Sequence, residues 1–96
     1  MPSEPQIADN PREHRYEMRI DGQVAAIAAY RLAGDTLTFT HTEVQPGHEG
    51  QGLGSKIAKY ALDDVKRRGI QGVAQCKFIA DYVKKHPEYA DAVRVP

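Results

Sequence analysis

Residues 36–55 read TLTFTHTEVQPGHEGQGLGS, and the two halves of this stretch obey different rules. Residues 36–44 (TLTFTHTEV) are β-branched and alternating, the pattern of a strand. Leu37, Phe39, His41 and Glu43 share one face of it provided no bulge intervenes. Pro46 ends the strand because it has no N–H to give a ladder. Residues 47–54 (GHEGQGLG) then hold four glycines in eight positions. Past them, Leu53, Ile57, Ala61 and Val65 recur every fourth residue, with Ala58 and Leu62 widening the stripe. That spacing predicts an amphipathic helix from about Leu53 to Arg68. Lys66, Arg67 and Arg68 suit the negative end of its dipole, and Gly69 suits the position after it.

Working outward, the flanks fall into place. Residues 15–20 (RYEMRI) alternate, and Asp21-Gly22 is a hairpin signal. Residues 24–32 (VAAIAAYRL) carry helix-favouring alanines, yet two tight turns bound them, so a middle strand of a meander is expected. Residues 70–78 (IQGVAQCKF) read as a further strand. Residues 80–85 read as a short helix interrupted by His86-Pro87, and residues 88–93 as a last turn or short helix. Residues 1–12 (MPSEPQIADNPR) hold three prolines and are expected to be a flexible, irregular tail. The domain then spans residues 13–96. A strand–loop–helix–strand unit normally makes a parallel pair. The expected class is α+β (mixed α/β): three antiparallel strands, then a parallel strand reached through the glycine loop and helix, then short C-terminal helices.

Composition bounds the rest. The chain has 96 residues, one small domain, with 13 basic and 13 acidic residues and no net charge. That balance gives no electrostatic case for nucleic acid or a membrane surface as partner. One cysteine excludes an internal disulfide. No apolar run approaches the roughly 20 residues of a membrane helix. The first dozen residues lack the apolar core of a signal peptide, so a cytoplasmic protein is expected.

The glycine loop carries the chemistry. A helix start leaves N–H groups without partners and a partial positive charge. Glycines let the backbone curl so that several N–H groups aim at one spot, and phosphate is the natural occupant. The plain alternative is a tight strand-to-helix connection. A triphosphate loop would need lysine where Leu53 stands, and the dinucleotide fingerprint would need glycine where Ser55 stands. A dinucleotide fold would also open with its strand–helix–strand unit.

Glu49-Gly50-Gln51-Gly52-Leu53-Gly54 resembles the Gln/Arg-x-x-Gly-x-Gly/Ala loop of the GNAT superfamily of acyl-CoA N-acyltransferases. Gly52 and Gly54 match its two glycines. Glu49 departs from it, placing a carboxylate near a pyrophosphate unless that side chain turns away. The resemblance extends to His41-Thr42-Glu43-Val44, Cys76 and His86-Pro87-Glu88-Tyr89, covers roughly residues 13–93, and points to a small single-domain branch. It implies acetyl-CoA as co-substrate, with no metal. The pyrophosphate would lie on N–H groups around Gly50, Gln51, Gly52, Leu53, Gly54, Ser55 and Lys56. The pantetheine arm would run along the 36–44 strand and bond backbone near Val44, with the thioester in a gap where that strand splays from the next.

Acetyl transfer needs a neutral amine, a polarised carbonyl and a proton for the departing thiolate. His41 and Glu43 are the base candidates, against the plain readings of a packed histidine and a solvated carboxylate. Cys76 could accept the acetyl group in a two-step route if a cation such as His41 lowered its pKa; otherwise it is an inert buried thiol. The resemblance makes Tyr82 a candidate acid, with Tyr89 competing and a core aromatic as the alternative. His48 with His41 and Glu43 lacks the spacing of a zinc site. Lys84, Lys85 and His86 form a basic run that meets the coenzyme A 3′-phosphate or is simply solvated.

Larger superfamily members build an acceptor pocket from segments this sequence lacks. The acceptor side should be open, serving a protein or peptide amine or completed by a second copy, so monomer and homodimer both stay open. Two other readings remain: an acyl-CoA-binding module with little turnover, and a peptide-interaction module on the same fold.

Overall fold

The computed structural model describes residues 5–96. Six strands form one sheet in chain order: β1 (Gln6–Asn10), β2 (Arg15–Ile20), β3 (Gln23–Ala33), β4 (Thr36–Val44), β5 (Gln71–Ala74) and β6 (Val93–Arg94). The first four are antiparallel, and the β4–β5 and β5–β6 pairs are parallel. Helix α1 (Leu53–Arg68) links β4 to β5, and α2 (Lys77–Lys85) with a 3-10 turn at Pro87–Tyr89 links β5 to β6. This is the expected mixed sheet with helices.

The two-residue hairpin between β2 and β3 forms because Asp21 and Gly22 take φ of 53° and 80°, the positive angles that match the twist of the flanking strands. β3 is a strand despite its alanines. It lies between β2 and β4, and Ala26 and Ala28 are fully buried under α1, where small side chains let a helix approach. Tyr16, Met18, Phe39, Ile57 and Leu62 complete one apolar cluster that also takes Ile79 and Val83 of α2.

Three expectations are corrected. Residues 1–12 are not all tail: Gln6–Asn10 pairs antiparallel with β2, and Ile7 packs on the core, while residues 1–4 lie outside the described residues. The strand expected over residues 70–78 stops at Ala74, and Phe78 belongs to α2. Both the Gln75 and Cys76 N–H groups donate to the Phe39 carbonyl, which ends the ladder. A short parallel strand, β6, replaces part of the expected final turn.

The fourth correction concerns β4. Ala29 pairs with His41 and Tyr30 with Phe39, so Thr40 is an extra residue, a β-bulge. Before it, Leu37 and Phe39 are buried toward the helices. After it the parity flips. Thr42 and Val44 take the helix side, while His41 and Glu43 stand on the opposite face in register with Ala29 and Ile27.

A polar network ties α1 to the sheet. The Tyr16 hydroxyl donates to Asp64 at 2.7 Å, and Arg67 and Arg68 also bond Asp64. Arg68 lies 3.5 Å from Asp9, which accepts from the Tyr30 hydroxyl at 2.6 Å.

Candidate functional site

The loop between β4 and α1 is shaped by backbone. Gly47, Gly50 and Gly52 all take positive φ, and Gly52, at 73°, sits at the position just before α1 without a side-chain cap. A non-glycine residue there would bring its Cβ against the backbone. The first helical bond is Lys56 N–H to the Gly52 carbonyl. The N–H groups of Gly50, Gln51, Gly52, Leu53, Gly54 and Ser55 thus find no acceptor among the described residues.

Glu49, the departure at sequence level, is accounted for. Its carboxylate accepts a hydrogen bond from the Gly47 N–H at 2.9 Å, so it is held back on its own loop. A cavity of about 250 Å³ opens over the loop, lined by Gly52, Gly54 and Ser55, with Val44, His48, Phe78 and the carboxylate-bearing Glu49 at its wall. A Cβ at position 54 would stand 2.8 Å from Cζ of Phe78, so that exposed ring would have to shift to admit it. Sequence reasoning missed Phe78, because assigning residues 70–78 to one strand gave it the wrong element.

β4 and β5 pair only over Thr36–Phe39 on one side and Gln71–Ala74 on the other. From Thr40 to Val44 the β5-facing edge of β4 is open, and this edge leads to the loop cavity at Val44. Across the gap the Thr42 Oγ1 and Cys76 Sγ atoms lie 3.3 Å apart. Cys76 is half-buried at the residue before α2 rather than on a strand.

His41 and Glu43 are brought together, with Nε2 to Oε2 at 3.5 Å, but both side chains are about half exposed or more. The Thr40 bulge sets them on the face away from Thr42 and Cys76. The cationic partnership between His41 and Cys76 considered from the sequence therefore does not form. Tyr82 lies within α2, stacked on His86 with centroids 4.1 Å apart. Burial pushes its hydroxyl pKa up. Tyr89 is committed elsewhere: its hydroxyl donates to Asp63 at 2.6 Å, and burial together with that bond raises its pKa strongly. Among the described residues, no three His, Cys, Asp or Glu side chains are grouped to hold a metal. Among those residues, no helix is long and apolar enough to cross a membrane.

This arrangement can hold an anionic ligand by backbone donors, lay an extended arm against an open strand edge, and leave the far side of that strand accessible. Comparison with known proteins agrees on the fold. An NMR solution structure described as GCN5-like, from Staphylococcus aureus, superposes with a TM-score of 0.71 over 95% of this chain and 89% of that one, at 22% identity. A crystal structure of the ribosomal-protein alanine N-acetyltransferase of Escherichia coli superposes at 0.56 over 66% of this chain and 41% of that one, at 25% identity. In sequence, the bS18-alanine N-acetyltransferase of Escherichia coli (strain K12) is 29% identical over 70 residues, 71% of this chain and 47% of that protein. The streptothricin acetyltransferase of Streptomyces lavendulae is 39% identical over 51 residues, 51% of this chain and 27% of that protein. The chain thus spans about half the length, or less, of these curated relatives. The family model described as GCN5-related N-acetyl-transferase matches residues 15–92, and the chain belongs to that family.

Proposed function

We propose that this protein is an acetyl-CoA-dependent N-acetyltransferase whose acceptor is an amine presented on an open surface, such as that of a protein or peptide. The observation that carries this reading is the run of acceptor-free N–H groups at the start of α1, opening into a cavity that adjoins the unpaired edge of β4. The residues present fit the cofactor. Backbone donors suit a pyrophosphate, and Glu49, although it lines the cavity, is engaged by the Gly47 N–H. Free N–H and C=O groups along Thr40 to Val44 suit the amides of a pantetheine arm.

Bound acetyl-CoA supplies an activated acetyl thioester. The chain's own groups then have three tasks. Backbone N–H groups on the free edge of β4 stabilise the oxyanion that develops on the carbonyl. The amine gives up a proton as it attacks, and His41 with Glu43 forms an exposed pair on the accessible face of β4 that could take it. The departing thiolate needs a proton. The Tyr82 hydroxyl, kept protonated by burial, is the available acid on α2. The bS18-alanine enzyme modifies a protein amine by its name, and an open acceptor face suits a substrate of that size.

A second reading has its own observation. His41 and Glu43 are solvated rather than enclosed, as they would be in an acyl-CoA-binding module with little turnover. Two measurements separate the readings. Acetyl-CoA at 100-fold excess over Kd should stabilise the fold by roughly 2.7 kcal/mol, while ATP and NAD should not, and the amide signals of residues 51–56 should shift. Thiol release with pooled peptides, polyamines and amino acids then distinguishes enzyme from binder. No response to any coenzyme A species would overturn both.

A further inference from the structure

The face of the sheet away from the helices carries its charges in two rows. Arg15, Ala29 and His41 stand opposite one another on β2, β3 and β4. Glu17, Ile27 and Glu43 form the adjacent row. Arg31 follows Ala29 by two residues, on the same face of β3. The half-buried methyl of Ala29 is thus a low floor with Arg15, Arg31 and His41 around it. Resting on the acetyltransferase reading above, we propose that this floor seats a carboxylate of the acceptor. One to two strand spacings separate it from the transfer edge of β4, so the preferred acceptor is an amine with an acidic side chain about 5–10 Å away, as in a peptide with Asp or Glu beside the reacting amine.

Arg15 is held ready for this contact. The buried Glu17 carboxylate accepts from Arg15 Nε at 2.7 Å, from the Arg19 guanidinium at 3.1 Å and from the Asn10 amide at 3.2 Å. Only Nε of Arg15 is used in this way, which leaves its two terminal nitrogens as donors for a second carboxylate. Arg31 is exposed and has no hydrogen bond or ion pair among the described residues. Arg15, Arg19 and Arg31 outnumber Glu17 and Glu43 on this part of the face, although the whole chain carries no net charge. The order of the rows selects the partner. A nucleic acid laid over Ala29 would run on to Glu17 and Glu43, and a basic segment would meet Arg31. An amine with one neighbouring carboxylate suits both rows: the carboxylate lies over Ala29, and the amine lies toward His41 and Glu43. There the amine nitrogen bonds the acetyl carbonyl carbon and the carbon–sulfur bond breaks. The amine's proton goes to the His41–Glu43 pair, and coenzyme A leaves as its thiol with the proton from Tyr82.

The test is thiol release on the full chain with short peptides that differ only in the residue beside the reacting amine, which is Asp, Asn or Lys. One set has a free N-terminus, and the other has a blocked N-terminus and a single reactive lysine. In at least one set, kcat/KM should be about three- to fivefold higher for Asp than for Asn, the value of an exposed charge contact. The Lys peptide should be slowest, and the Asp preference should shrink as salt is raised. Arg31→Ala should remove most of the preference by slowing the Asp peptide alone. Arg31→Glu should turn it toward the Lys peptide, and the Asn peptide should keep its rate in both variants. Arg31 is exposed, so both variants should fold as the unaltered protein does. Fluorescence anisotropy with the same peptides and coenzyme A, where no transfer occurs, should give the same order of Kd. Equal use of the Asp and Asn peptides overturns the acidic acceptor, and so does a preference that survives both Arg31 variants. Failure to bind or acetylate any peptide also overturns it, while calorimetry with acetyl-CoA alone shows whether the cofactor reading stands. If acetyl-CoA does not bind, that reading falls and the acceptor class falls with it.

Discussion

The Thr42 hydroxyl and the Cys76 thiol meet at 3.3 Å across the gap that opens where β4 and β5 part. One comes from a strand turned over by a bulge, the other from the residue that precedes α2. The contact pairs the cysteine with a neutral hydroxyl. A full cation beside the thiol would favour a nucleophilic thiolate, but His41 is on the other face of the sheet, and the start of α2 offers only a partial charge. Acetyl transfer is therefore expected to be direct. Cys76→Ala should keep turnover within about twofold in a thiol-release assay, and mass spectrometry of the protein with acetyl-CoA should show no acetylated Cys76. A variant without measurable turnover, still folded by circular dichroism, would restore the covalent route.

Glu49 has two opposing effects on the loop. Its bond to the Gly47 N–H orders the backbone, and its negative charge opposes an anionic ligand. Glu49→Gln keeps an acceptor and drops the charge, so acetyl-CoA affinity should rise a few-fold, by about 0.5–1 kcal/mol for a solvent-exposed charge. Glu49→Ala loses both and should bind more weakly than Glu49→Gln. Calorimetry on the two variants checks the order.

Gly52 and Gly54 act in different ways. Gly52→Ala places a Cβ on a residue with φ of 73° and should cost about 1–2 kcal/mol of stability. Gly54→Ala gains helix propensity, up to about 1 kcal/mol, but pushes against the Phe78 ring. It should therefore leave the melting temperature near that of the unaltered protein while lowering coenzyme A affinity. Thermal melts and calorimetry on the same samples separate the two effects.

Asp64 gives the fold an acid-sensitive component. Burial pushes its carboxyl pKa up, but hydrogen bonds from Tyr16 and Arg67 outweigh this and hold it below the ordinary aspartate value. A carboxyl whose folded pKa is depressed contributes fully above its unfolded pKa near 3.8. That contribution is lost as pH falls through the folded value. Asp64→Ala should therefore cost about 2–4 kcal/mol at pH 7. The gap between variant and unaltered protein should shrink in urea melts below about pH 4.

His41 and Glu43 can be tested as a unit. Removing a working base typically costs 100-fold or more, in the range of ~10²–10⁴. The double variant His41→Ala with Glu43→Gln should lose about 100-fold or more in kcat/KM. Both side chains are exposed, so its stability should stay within about 0.5 kcal/mol. Full activity in the double variant would remove the pair from the mechanism.

Local rules were enough to specify most elements. The bounds of β2, β4 and α1 follow from alternation, the four-residue stripe and the glycines at each end, because these signals act within a few residues. The loop's capacity for an anion is local in the same way: it depends on glycine torsions and on N–H groups that a helix start always leaves free. Three features depended on contacts distant in sequence. β1 forms because Gln6–Asn10 finds β2 as a template, which outweighs its neighbouring prolines. β5 ends at Ala74 because Gln75 and Cys76 both turn to the Phe39 carbonyl, and this placed Phe78 over Gly54. The bulge at Thr40 arises in the pairing of β4 with β3, and one extra residue was enough to move His41 and Glu43 to the other face. Side-chain parity in a strand is a running count, so a single insertion reverses everything after it. Only the partner strand reveals where that insertion occurs.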